Sequence, residues 1–105
     1  MEHMLTDDNF DAKIKAEKKP FAVEFFATWC PHCQRMMPVV KEAAAELDGK
    51  AEFFLADVDK TPEKTSEYDV SGTPTFFFFK DGKKVGEAVG EMSKEALKQH
   101  LEKLL

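Results

Sequence analysis

The sequence predicts an α/β domain in which a central sheet is covered by helices on both faces. Three observations carry this. The runs "FAVEFFA" (21–27) and "AEFFLADVD" (51–59) are too apolar to leave either strand face in water. A third run, "TPTFFFFK" (73–80), holds four successive Phe, and alternation places them on both sides of a sheet. The stretches between these runs carry helix caps and helical spacing. The resulting order is helix, strand, helix, strand, helix, strand, strand, helix, the signature of a layered α/β fold.

Each element has its own signal. Thr6 reads as an N-cap, with Asp7 and Asp8 in a first turn that favours negative charge. Phe10 and Ile14 continue an amphipathic helix that stops at Lys19–Pro20. The first long apolar strand follows, interrupted by one carboxylate, Glu24. From Pro31 to Leu47 the chain favours helix, with Pro31 in the first helical position, a stripe through Met36, Val39, Val40, Ala43, Ala44 and Leu47, and Gly49 as its stop. Pro38 lies inside this helix and is expected to kink it. Thr61–Pro62–Glu63 starts a short helix toward Tyr68. Asp81–Gly82 is a hairpin signal leading to an edge strand, "KKVGEAVG". Ser93 caps a last helix bearing Leu97, Leu101 and Leu104.

At 105 residues the chain suits one domain, 1–105, with a core of its own. Ten Phe against one Tyr and one Trp imply a strongly apolar interior. The net charge of −5, with basic residues scattered singly or in pairs, argues against nucleic acid or an anionic membrane as the main partner. No apolar run approaches the roughly 20 residues of a membrane span. The charged start lacks an apolar signal-peptide core, so the expectation is a cytoplasmic protein; export with a leader since removed is the alternative.

The only two cysteines stand in "TWCPHCQRMMP" (28–38), at the join between a strand and a helix. Two residues apart, they cannot staple distant parts of the fold. Unpaired N–H groups and the helix dipole favour negative charge there, so the Cys30 thiol should ionise more easily than a free one. Cys33, less than one turn on, can reach Cys30 and close a small disulfide. Two inert buried thiols would need no such placement. Zinc needs about four ligands, and only His3, His32 and His100 could supplement the pair. The favoured reading is a redox switch without metal.

With "EFFATWCPHC", Pro38, "DVD" (57–59), "VSGTPTFFFFKDGK" (70–83) and Gly90 taken together, the chain resembles the thioredoxin family from near its start to its end. The resemblance implies a thioredoxin fold with a mixed sheet, a protein-disulfide oxidoreductase, and no cofactor. It implies that Cys30 is the exposed attacking thiolate and Cys33 the buried resolving thiol. Pro74 would be a cis-proline facing them, Thr73 would offer backbone hydrogen bonds to a substrate strand, and Trp29 and Pro31 would shape the substrate groove. Partners would be protein disulfides and a thioredoxin-reductase-type electron donor, or an oxidant, acting on a monomer.

Two departures bear on direction. Thioredoxins usually carry Asp where Glu24 stands, and many place a Lys where this chain has Leu55. Glu24 is expected to move protons to and from Cys33, with a pKa raised by burial; pairing with a nearby Lys is the bland alternative. Thioredoxins also usually have Gly-Pro between the cysteines, whereas Pro31–His32 resembles the periplasmic disulfide oxidases, whose large helical insertion this chain has no room for. His32 is expected to stabilise the Cys30 thiolate and make the disulfide a stronger oxidant. The leading expectation is a thioredoxin-type reductant with a less reducing potential. An exported oxidase or isomerase and a non-catalytic peptide-binding module are the alternatives.

Overall fold

The computed structural model describes residues 2–105. Five strands and four helices follow in the order β1 (Glu2–Met4), α1 (Phe10–Ala16), β2 (Phe21–Phe26), α2 (Pro31–Glu46), β3 (Glu52–Asp57), α3 (Pro62–Glu67), β4 (Thr75–Lys80), β5 (Lys83–Val89) and α4 (Lys94–Glu102). The sheet order is β1-β3-β2-β4-β5, with β1 and β2 parallel to β3 and β4 antiparallel to both β2 and β5. The sheet is therefore mixed, as expected.

Alternation splits the Phe-rich strands between two cores. Ala22, Phe26, Phe53, Leu55, Phe76 and Phe78 pack with Cys33, Met36 and Val40 of α2 and Leu97 and Leu101 of α4. Phe21, Val23, Phe25, Phe54, Phe77 and Phe79 pack with Phe10 and Ile14 of α1 on the other face, where Tyr68 closes an aromatic cluster. β2 and β3 are buried at every position, which is why they read as apolar runs rather than as alternating ones.

Three local expectations need correction. β1 has no counterpart in the sequence reading. It is three residues long and two of them, His3 and Met4, are exposed, so no apolar pattern marks it. Its place comes from pairing with β3, His3 opposite Phe54, and from His3 Nε2 lying 3.0 Å from Glu52 Oε1. α1 starts a turn later than Thr6. The Thr6 hydroxyl accepts from Asn9 N–H at 3.1 Å while Asn9 Oδ1 accepts from Thr6 N–H at 2.8 Å, a reciprocal pair that closes a turn ahead of the helix. Thr61 precedes α3, but its hydroxyl donates to the Asp57 carbonyl at 2.8 Å instead of capping. The first two N–H groups of that helix that find a side chain are those of Glu63 and Lys64, both donating to the Asp7 carboxylate.

The hairpin signal and the cap of the last helix hold, although α4 ends before Leu104. Asp81 and Gly82 both have positive φ, +53° and +77°, the backbone of a tight hairpin whose twist suits the flanking strands. Ser93 Oγ accepts from Ala96 N–H at 3.1 Å and caps α4. No helix among the described residues is long and apolar enough to cross a membrane.

Candidate active site

β2 delivers the chain to one end of the sheet, and Ala27–Trp29 turn it into α2 with Cys30 at the N-cap and Pro31 in the first turn. Pro31 has no N–H to leave unpaired there and its fixed φ suits a helix start. Cys33 follows on the face of α2 that carries Met36 and Val40 into the core. Both thiols are free.

Across from them runs the loop before β4. Its Thr73–Pro74 peptide is cis, the Pro74 carbonyl accepts from Gly90 N–H at 2.8 Å, and the Thr75 hydroxyl donates to the Gly72 carbonyl at 2.6 Å. The Cys30 thiol reaches this loop and donates to the Thr73 carbonyl at 3.4 Å. The loop is thus tied at both ends and stands directly over the attacking position.

Cys30 is 5% exposed and Cys33 2% exposed, so the expectation of an exposed Cys30 needs amendment. The N-cap geometry turns the Cys30 sulfur toward Thr73 instead of outward. The exposed member of the motif is Trp29, at 67%, held by its indole N–H donating to Asp59 Oδ2 at 2.8 Å. Trp29, Val58, Val70, Gly72 and Thr73 line a small hollow of about 150 Å³. A larger cleft of about 610 Å³, lined by Pro62, Ser66 and Asp69, adjoins it through shared residues but contains no cysteine. Phe26, Ala27, Gln34 and Met37 surround an apolar hollow of about 320 Å³ that touches Cys33.

The two thiols have opposite acidities. Cys30 is lowered to about 7, by a hydrogen bond from the Thr73 side chain first and by the backbone N–H of Cys33 next, with smaller help from the Cys33 thiol and the His32 N–H. Cys33 is pushed up, chiefly by burial. Near neutral pH about half of Cys30 is thiolate while Cys33 keeps its proton. The helix start therefore acts through its backbone N–H groups, as the sequence position implied.

Glu24 is 1% exposed on the β2 face that carries Ala22 and Phe26 toward α2. Its neighbours across the ladders are Leu55 and Phe76, and neither carboxylate oxygen has a hydrogen-bond partner among the described residues. No Lys answers it. Burial first, and the negative charge of Cys30 second, raise its pKa to about 8.

His32 is exposed and its ring meets Glu91. Its Nδ1 lies 2.6 Å from Glu91 Oε2, and Arg35 grips the same carboxylate through Nε and Nη2. The His32 backbone N–H is one of the groups that act on Cys30. Arg35 and Glu91 were not singled out from the sequence. Arg35 stands one helical turn after His32 and was visible as such; Glu91, 59 positions from His32, carries no local signal.

The thioredoxin family profile matches residues 2–103, nearly the whole chain. The chain belongs to the thioredoxin family. A thioredoxin of Staphylococcus epidermidis is 43% identical over 101 residues, covering 96% of this chain and 95% of that protein. Thioredoxins of Staphylococcus haemolyticus and Staphylococcus aureus are 42% and 41% identical over the same length and share of each chain. The resemblance in the motifs thus extends through the whole fold, and the chain is a thiol–disulfide oxidoreductase. Thioredoxins act on protein disulfides and are returned to the dithiol by a reductase.

Proposed function

We propose that this single domain is a thioredoxin-type reductant of protein disulfides in which Cys30 attacks, Cys33 resolves, and the potential is less reducing than that of an ordinary thioredoxin. The observation that carries this reading is the split in acidity between two thiols three positions apart, about 7 for Cys30 and raised for Cys33. Only a thiolate attacks a disulfide at a useful rate, so the split sets the order of events.

Docked against the Thr73–Pro74 loop and the Trp29 and Pro31 rim, a substrate disulfide presents one sulfur to Cys30. The Cys30 thiolate bonds to it, the substrate S–S bond breaks, and the departing substrate thiolate takes up a proton. Glu24, a carboxylic acid at rest, releases its proton through water once the Cys30 charge is consumed, and its carboxylate then takes the Cys33 proton through water as Cys33 attacks the Cys30 sulfur. The second substrate thiolate leaves and is protonated. Two electrons have passed to the substrate, and the protein holds a Cys30–Cys33 disulfide.

The energetics of Glu24 suit this timing. Its carboxyl is protonated near neutral pH, held so by burial first and by the Cys30 charge second. Consuming the charge in the mixed disulfide removes that influence, and the carboxyl becomes a readier base at the step that needs one.

A reductant has to be maintained as the dithiol, so the reading places the protein in a reducing compartment, the cytoplasm, with a reductase as electron donor. Typical potentials are about −270 mV for thioredoxin and about −120 mV for the periplasmic oxidase, a span of ~7 kcal/mol for two electrons. Equilibration of the purified protein with a glutathione redox series tests the reading, alongside reduction of insulin by the dithiothreitol-charged protein. The expected result is catalysed insulin reduction with a potential between those limits. Failure to reduce insulin refutes the reductant, and a potential at the oxidase value assigns the opposite direction.

A further inference from the structure

The carboxylate of Glu91, in the turn between β5 and α4, gathers two side chains from the first turns of α2. Arg35 Nε lies 3.1 and 3.0 Å from its two oxygens and Arg35 Nη2 lies 2.7 Å from Oε2. His32 Nδ1 stands 2.6 Å from the same Oε2. A nitrogen that close to a carboxylate oxygen carries the shared proton, so His32 Nδ1 donates to Glu91. The 2.9 Å between Arg35 Nη2 and His32 Nδ1 is then two donors converging on one acceptor, not a bond between them.

This arrangement answers a puzzle of the motif. A histidine between the cysteines, with an arginine one turn further on, should concentrate positive charge at the helix start that bears Cys30. The side chains instead point to the β5–α4 turn. We propose that Glu91 is a positioning residue for disulfide exchange: it pairs with the Arg35 guanidinium and the His32 imidazole and offsets the positive charge that the side chains of this helix start bring to the Cys30 sulfur. Glu91 thereby keeps the protein more reducing than its Cys-Pro-His-Cys motif alone would make it. This rests on the reading of Cys30 as the attacking thiolate.

The surroundings of Cys30 agree. Thr73, backbone N–H groups and the Cys33 thiol act on it, and His32 takes part through its N–H. Arg35 is within electrostatic reach of the sulfur, since the Cys30 charge helps to hold the Arg35 proton, but Glu91 acts on it first and more strongly. Glu91 itself is held at about 2 by Arg35 and then His32, so the carboxylate is present throughout the working pH range.

The test compares the wild-type chain, Glu91→Gln, the pair His32→Ala with Arg35→Met, and all three changes together. For each, the glutathione equilibrium constant and the pH midpoint of Cys30 alkylation are measured. Glu91→Gln should shift the equilibrium roughly threefold toward the dithiol and lower the alkylation midpoint, a size typical of a surface charge pair. In the background lacking both cationic side chains, most of that shift should vanish. A full shift in that background would mean simple repulsion by Glu91 and overturn the proposal. So would a shift of opposite sign, meaning that Glu91 presents the charge to Cys30, or a lowered Tm with no shift at all. If the wild-type chain failed to exchange with glutathione, the reductant reading would fall instead, and the alkylation midpoints would still decide the role of Glu91.

Discussion

Replacing Glu24 by Gln should remove most of the pH dependence of stability between pH 4.5 and 8. An unfolded carboxyl titrates near 4.5, whereas the folded one holds its proton to about 8 because burial between Leu55 and Phe76 disfavours the charged form. The folded protein thus binds this proton more tightly than the unfolded chain. The stability it contributes is fully present below pH 4.5 and is lost as pH rises through about 8. The interval from 4.5 to about 8, at ~1.36 kcal/mol per pH unit, corresponds to ~5 kcal/mol. Glu24 is 1% exposed, so solvent screening takes little from that figure. Urea denaturation of the wild-type chain and Glu24→Gln at half-unit steps from pH 4.5 to 9 measures the difference between their stabilities. The wild type should lose ground to the variant by several kcal/mol over the range. Two curves that stay parallel would refute the argument, because they would mean that Glu24 titrates alike in the folded and unfolded chains.

Other outcomes follow from the same geometry. Cys33→Ser should accumulate mixed disulfides with protein substrates on non-reducing gels, and Cys30→Ser should accumulate none. Pro31→Gly combined with His32→Pro should make the potential more negative and raise the Cys30 pKa, because proline removes the His32 N–H that now helps the thiolate; a glutathione titration reads the first and pH-dependent alkylation the second. Phe77→Ala, deep in the aromatic core on the sheet face away from α2, should cost ~3–5 kcal/mol in urea denaturation while the folded variant keeps its Cys30 pKa.

What could be read from the sequence was what local physics marks. The doubly buried strands announced themselves by unbroken Phe and Val, the Asp81–Gly82 hairpin by its turn residues, and α4 by its Ser93 cap. Cys30 at a helix start was legible for the same reason, since strand, Pro31 and helix are contiguous. The isolation of Glu24 was half legible: an apolar Leu55 in place of a cation was noticed, but only the register sets the two side by side. β1 was missed because a three-residue strand with exposed side chains is defined by its partner β3, some 50 positions away. The orientation of the His32 ring depends on Glu91, which is brought near by the β4–β5 hairpin and by nothing local. The burial of Cys30 likewise depends on the Thr73 carbonyl, a partner 43 positions on.

The claim on which the account turns is that Cys30 is an activated thiol and Cys33 a suppressed one. Stopped-flow alkylation of the fully reduced protein between pH 5 and 10, with the modified residue located by mass spectrometry, tests it most directly. Modification is expected at Cys30 alone, with a rate whose midpoint falls at about pH 7, and Cys33 should react only in more alkaline solution. Modification of Cys33 first, or a Cys30 midpoint near the ordinary 9.0 of a free thiol, would contradict it.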